Sequence, residues 1–249
     1  MTTVLTVILC RLSGSNVIFY DQFRNTGQGH TIRQKVVSSI HYLTYRKKAI
    51  RFSPTELEDG DTSLFFKSFA VPFAADVSQT DREDVEDPVQ LLMIGKLHER
   101  RKNHTKFLRL VKDLLENHEI EATLVGSLNS KKDNHYRKVL SFIKENKLQE
   151  HVSIIPNVPF ESMESIYMKH DIFILPSERE PAAVSVLEAM GCGLAVICSD
   201  QNGTKHYIQD GESGFVINIE TEGEMRRKTE LLIQNKTMLE NFGRSGQGR

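Results

Sequence analysis

From Pro88 onward the chain alternates short apolar runs with stretches whose apolar residues recur at helical spacing. Val89-Gln-Leu-Leu-Met-Ile94 has the composition of a buried strand, and Lys106 to Leu115 carries an apolar face at helical intervals. Further strands are expected at Glu121–Val125, His151–Ile155, Asp171–Leu175, Leu194–Cys198 and Gly214–Ile217. Helices are expected over Asn134–Asn146 and Glu161–Lys169, from Pro181 through Glu188, and over Glu224–Asn235, with a turn at Asn202-Gly203. Strands and helices in alternation, joined by short Gly/Pro connections, predict a parallel sheet covered on both faces. That is a doubly wound α/β domain over 89–249.

The first part of the chain is less regular. Val4–Leu9, Asn16–Tyr20, Ala49–Ser53 and Ser63–Phe69 have strand character. Ile32–Arg46 has helical character, after a loop containing Gly27-Gln-Gly29. These make a partial α/β region over 1–76. The polar, acidic stretch that follows lacks apolar periodicity and is expected to be a linker, over 77–88.

Composition narrows the class. The 249 residues are ordinarily apolar for a globular protein, and no run approaches the ~20 apolar residues of a membrane span. The apolar start, Met1 to Cys10, lacks a basic lead-in and a small-residue cleavage site, so a strand is expected there rather than a signal peptide. Cys10, Cys192 and Cys198 form no CxxC pair, which fits reduced, buried thiols in a cytoplasmic protein.

Net charge is −1, but its distribution is uneven. The charged residues from Arg11 to Arg51 are almost all basic, and from Glu56 to Asp87 the balance reverses to acidic. The basic segment suits an anionic membrane surface, such as the inner face of a plasma membrane, or a phosphate-bearing acceptor; equally, it suits a solvated helix face. No aromatic residues interleave with it in an RNA-binding pattern, so no nucleic-acid partner is expected. Asp59-Gly-Asp61 lies in a polar loop rather than at the end of an apolar strand, and the histidines lack zinc-site spacing. No metal is expected.

The densest candidate chemistry lies in Pro176-Ser-Glu-Arg-Glu-Pro-Ala-Ala-Val-Ser-Val-Leu-Glu-Ala-Met-Gly-Cys-Gly193. Apolar runs flank it, so Glu180 falls in a loop at the carboxyl end of a strand and Glu188 on the next helix. Ligands of open α/β sheets bind at that edge. Pro181 suits a first helical turn. The free N–H groups of that turn, around Ala182, Ala183 and Val184, can receive an anion such as a diphosphate. A carboxylate on the helix can accept two hydrogen bonds from a vicinal diol, the group a ribose presents. Taken alone, two such glutamates are more simply solvated side chains of an ordinary strand–helix unit.

The whole segment closely resembles the Glu-x7-Glu motif of retaining glycosyltransferases with the GT-B fold, in the large family that includes O-antigen and capsule transferases. Glu180 and Glu188 fall at the motif's spacing, and the Leu-Pro-Ser before it and the Glu-Ala-Met after it also match. The resemblance implies a GT-B-like chain with a complete C-terminal Rossmann-type domain and a partial N-terminal, acceptor-side domain. Against that pattern the chain is short, as a fragment or a reduced member would be.

The resemblance also implies roles. Relatives place two cations in the loop after the first strand of the second domain to hold the donor's diphosphate; Lys96 and Lys102 occupy those places. The spacing is one residue longer than the commonest, so Arg101 shares or takes the second role. Glu180 would contact the transferred sugar, Glu188 the ribose, and Val158 the base. The implied activity is transfer of a sugar from a UDP or GDP donor, with retention and no cofactor, to a lipid-linked or polysaccharide acceptor. The form Asp200-Gln-Asn-Gly-Thr-Lys-His-Tyr207 points to surface-polysaccharide synthesis. The alternatives are a nucleotide-sugar-binding module without turnover, and an epimerase or phosphorylase of the same architecture.

Overall fold

The computed structural model describes Val17–Tyr20, Ala49–Ser53, Lys67–Ala70 and residues 85–247. The chain divides into two compact units, Met1–Phe73 and Ala74–Arg249. In the first unit, strands β1 (Val17–Tyr20), β2 (Ala49–Ser53) and β3 (Lys67–Ala70) form a parallel sheet in that order. Val17 pairs with Ala49, and Ile50 with Lys67. The strand expected at Val4–Leu9, the helix at Ile32–Arg46, Gly27-Gln-Gly29 and Asp59-Gly-Asp61 lie outside the described residues, as does most of the expected linker. Val85, within that linker, is buried.

The second unit is built on a six-stranded, wholly parallel sheet. Its strands are β4 (Val89–Ile94), β5 (Ile120–Gly126), β6 (Val152–Pro156), β7 (Ile172–Leu175), β8 (Ala195–Ser199) and β9 (Gly214–Ile217), in the order β6-β5-β4-β7-β8-β9. Every residue of β7 and β8 is buried. Because alternate side chains point to opposite faces, both faces must be covered, and the sequence answers with unbroken apolar runs. The helices supply the cover. These are α1 (His104–Leu114), α2 (Asn134–Glu145), α3 (Met163–Tyr167), α4 (Val184–Gly191), α5 (Glu224–Gln234) and α6 (Lys236–Gln247). Helix α1 packs on α2 and α5, while α6 packs on α4 and β8. Asp133 caps α2, its carboxylate accepting from the N–H groups of His135 at 2.8 Å and Tyr136 at 3.0 Å.

Two glycines let α6 dock. Helix α4 ends in a Schellman turn: Gly193, at φ 75°, donates to the Met190 carbonyl and Leu194 to that of Ala189. A Cβ added at Gly243 would lie 2.1 Å from the Gly193 carbonyl oxygen, so α6 rests directly on that turn. Among the described residues no helix is long and apolar enough to cross a membrane. Cys192 and Cys198 are buried and unbridged; burial pushes the Cys198 thiol up to about 12, which keeps it protonated.

Candidate active site

The sheet order sets the site. Strands β4 and β7 are neighbours although the chain runs out through β5 and β6 between them, so loops far apart in sequence emerge side by side. The loop after β4 runs from Gly95 through a 3-10 turn at Arg100–Lys102 into α1; the loop after β7 holds 176–183. The two are stitched together. The Glu178 N–H donates to the Arg101 carbonyl at 2.7 Å. Asn103, at φ 60°, reverses the chain into α1, and its amide donates to the Pro176 carbonyl at 2.8 Å and to Glu178 Oε1 at 2.9 Å.

Across this seam Glu180 meets two cations. Arg101 and Lys102 both lie 2.5 Å from Glu180 Oε2. Glu180 is 4% exposed, and a carboxylate so placed needs paired charge. Its main chain is fixed as well: its N–H donates to the Gln201 carbonyl at 3.1 Å, and its carbonyl accepts from Gly203 at 2.9 Å. Lys102 is buried because its stem lies on Gly95; a Cβ there would sit 3.1 Å from Lys102 Cγ and Cδ. Lys96 stays out of this pair. Its side chain is 57% exposed and its ammonium lies 3.2 Å from Glu99 Oε1, while Glu99 Oε2 lies 2.8 Å from Arg101. The structure therefore gathers Arg101, Lys102 and Glu180, with Lys96 linked to Arg101 only through Glu99.

Helix α4 begins later than the expected first turn. Its N-cap is Ala183, in extended conformation, and its first residue is Val184, so Pro181 and Ala182 precede the helix. The pairing of Glu180 with Asn202 holds the chain extended up to that point. Alanine offers no side-chain cap, and none is made, leaving the first amides of α4 without a side-chain acceptor. Glu188 lies one turn further on, half-buried, accepting a 2.6 Å hydrogen bond from the Tyr167 hydroxyl. Burial first, and then the Glu188 carboxylate, drives the phenol far above its ordinary range, so Tyr167 remains a donor. Nothing local in the sequence marked this partner, which lies 21 residues away.

Val158 is half-buried in the loop after β6, at the same edge of the sheet but three strands from the Glu180 loop. The preceding Asn157, at φ 55°, anchors that loop, its side chain bonding the Leu128 N–H at 2.8 Å and carbonyl at 3.1 Å. Beneath the β4 loop, His104 Nδ1 lies 3.1 Å from His135 Nε2. Burial, then the neighbouring His135, pushes His104 down to about 4, so it is neutral near pH 7. Among the described residues no group of three or more His, Cys, Asp or Glu side chains is arranged to hold a metal ion.

A parallel, doubly wound domain with paired cations and a buried carboxylate at its switch point belongs to many proteins. The family model for glycosyl transferases group 1 matches residues 77–249. The chain belongs to this family. Spore coat protein SA of Bacillus subtilis (strain 168) is 28% identical to this group 1 chain over 131 residues, which are 51% of the chain and 34% of that relative. Among solved structures, sucrose-phosphate synthase from Thermosynechococcus elongatus superposes with a TM-score of 0.77 at 12% identity, over 96% of this chain and 64% of that one. Anabaena Alr3699/HepE, solved in complex with UDP and glucose, gives 0.75 at 12% identity, over 98% and 69%. The chain thus spans about a third of that curated relative and about two thirds of these structures. Its fold is that of the GT-B glycosyltransferases, with 89–247 forming the Rossmann-like domain.

Proposed function

We propose that this group 1 glycosyl transferase takes a sugar from a nucleoside-diphosphate donor and transfers it, with retention, to a lipid-linked or polysaccharide acceptor in surface-polysaccharide synthesis. The observation that carries this reading is the meeting of Arg101, Lys102 and Glu180 beside the uncapped start of α4. Breaking the bond between the anomeric carbon and the phosphate oxygen leaves a nucleoside diphosphate with added charge on its β-phosphate. Fixed guanidinium, ammonium and amide donors stabilise that charge as it forms; one such donor is typically worth ~3 kcal/mol of barrier. No metal is required for this step.

Glu180 faces the transferred sugar in this reading, and Glu188, oriented by Tyr167, accepts from the ribose hydroxyls. The acceptor hydroxyl attacks on the face the phosphate leaves, and its proton passes to the departing phosphate oxygen. Support for the nucleotide comes from HepE, which is described in complex with UDP and glucose. The acceptor class rests on the likeness of 176–193 and 200–207 to polysaccharide-assembly transferases. Titration calorimetry with UDP, GDP and ADP identifies the base. Replacing Arg101 and Lys102 together by alanine should weaken the preferred diphosphate at least ~100-fold while changing affinity for its nucleoside little. Equal losses for both ligands would remove the cations from the proposed role.

A further inference from the structure

We infer that Glu180 sets the discrimination between nucleotide sugar and free nucleoside diphosphate, by acting as an internal anion that competes for the two cations. The inference rests on the donor-binding reading above. Both Arg101 and Lys102 already have an anion: each lies 2.5 Å from the same oxygen, Glu180 Oε2. A diphosphate therefore does not enter a vacant cation pair. It must draw the cations away from a carboxylate whose side chain is 5% exposed and whose backbone is pinned on both sides by Gln201 and Gly203. Lys102, packed on Gly95 and 10% exposed, has little room to follow the diphosphate and keep its old partner; Arg101, at 37%, can turn outward.

Once the cations turn, Glu180 is left buried with its charge uncompensated, which is strongly unfavourable unless new donors replace them. A nucleotide sugar carries such donors in the hydroxyls of the sugar beyond its β-phosphate. A free nucleoside diphosphate has no sugar there, and its ribose hydroxyls face Glu188 in the same reading. The sugar nucleotide thus meets a site where displaced cations and stranded carboxylate are both satisfied. The product, after transfer, meets one where Glu180 pulls the cations back. The same carboxylate favours the substrate and helps expel the product.

The experiment is calorimetric titration of wild-type protein and Glu180→Gln with UDP, GDP, inorganic pyrophosphate, UDP-glucose and GDP-mannose. Glutamine keeps the shape and removes the charge. We expect the diphosphate that wild type binds, and pyrophosphate, to bind about tenfold or more tightly to the variant. The matching sugar nucleotide should gain less or lose affinity, so the preference for it narrows or inverts. Glu180→Ser, judged folded by circular dichroism, gives the same reading if the glutamine variant does not fold. Unchanged or weaker diphosphate binding in a folded variant would overturn the inference while leaving donor binding intact. If neither wild type nor variant binds any of the five ligands, the donor-site reading itself fails and this inference falls with it.

Discussion

Tyr167 holds Glu188 by one hydrogen bond between a buried phenol and a half-buried carboxylate. Hydrogen bonds to charged groups contribute about 1.5–3 kcal/mol, and leaving the acceptor unpaired adds desolvation. Tyr167→Phe should lower stability by about 1.5–3 kcal/mol in urea unfolding. It should also weaken nucleoside affinity, if Glu188 grips the ribose, while leaving pyrophosphate affinity unchanged. A variant that binds both as wild type does would separate Glu188 from the pentose. The residue scale also shows where linear spacing stops being informative. The loop spacing left Lys102 and Arg101 as alternatives for one place, and in the fold both lie against Glu180; Lys96 depends on which way a solvent-facing chain turns, and it turns to Glu99.

At the scale of elements, legibility follows burial. Strands β7 and β8 are covered on both faces, so they fall in apolar runs, and their boundaries, like those of the largely apolar β4, fell within a residue or two of expectation. Helix α6 was not anticipated. Its buried positions, Leu239, Phe242, Gly243 and Gly246, recur at helical spacing, but two of the four are glycines, which read as breakers rather than as a packing face. Those glycines are where α6 meets the end of α4. Gly243→Ala should push the helix off the Gly193 carbonyl and destabilise the protein by about 1–3 kcal/mol, despite alanine's better helix propensity. Thermal unfolding decides: a stabilised variant would mean propensity wins over contact. The start of α4 was placed too early for a related reason. Pro181 is a good first helical residue, but the bridge from Glu180 to Asn202 keeps the chain extended up to Ala183.

For the molecule as a whole, the buried histidine under the cation loop ties stability to pH. His104 titrates near its free value, about 6.5, in the unfolded chain, and at about 4 in the fold. The unfolded state therefore takes up a proton first, and the contribution of this group to stability, complete above about pH 6.5, declines as pH falls toward 4. The full loss is about 3 kcal/mol by pH 4. Urea unfolding at pH 7 and pH 5 should show it, and His104→Gln should flatten the difference; an unaltered slope would assign the acid sensitivity elsewhere. The same scale carries one more consequence, from the adjacency of β4 and β7. The 44 residues from Ser127 to His170 leave the middle of the sheet and come back to it without contributing a charge to the Arg101–Lys102–Glu180 triad. They form a wing whose last helix returns Tyr167 to Glu188. In the proposed reading Val158, at the far end of this wing, meets the base, so exchanging its loop should change base preference while the Arg101–Lys102–Glu180 ion pairs, whose residues stand on other loops, keep their partners.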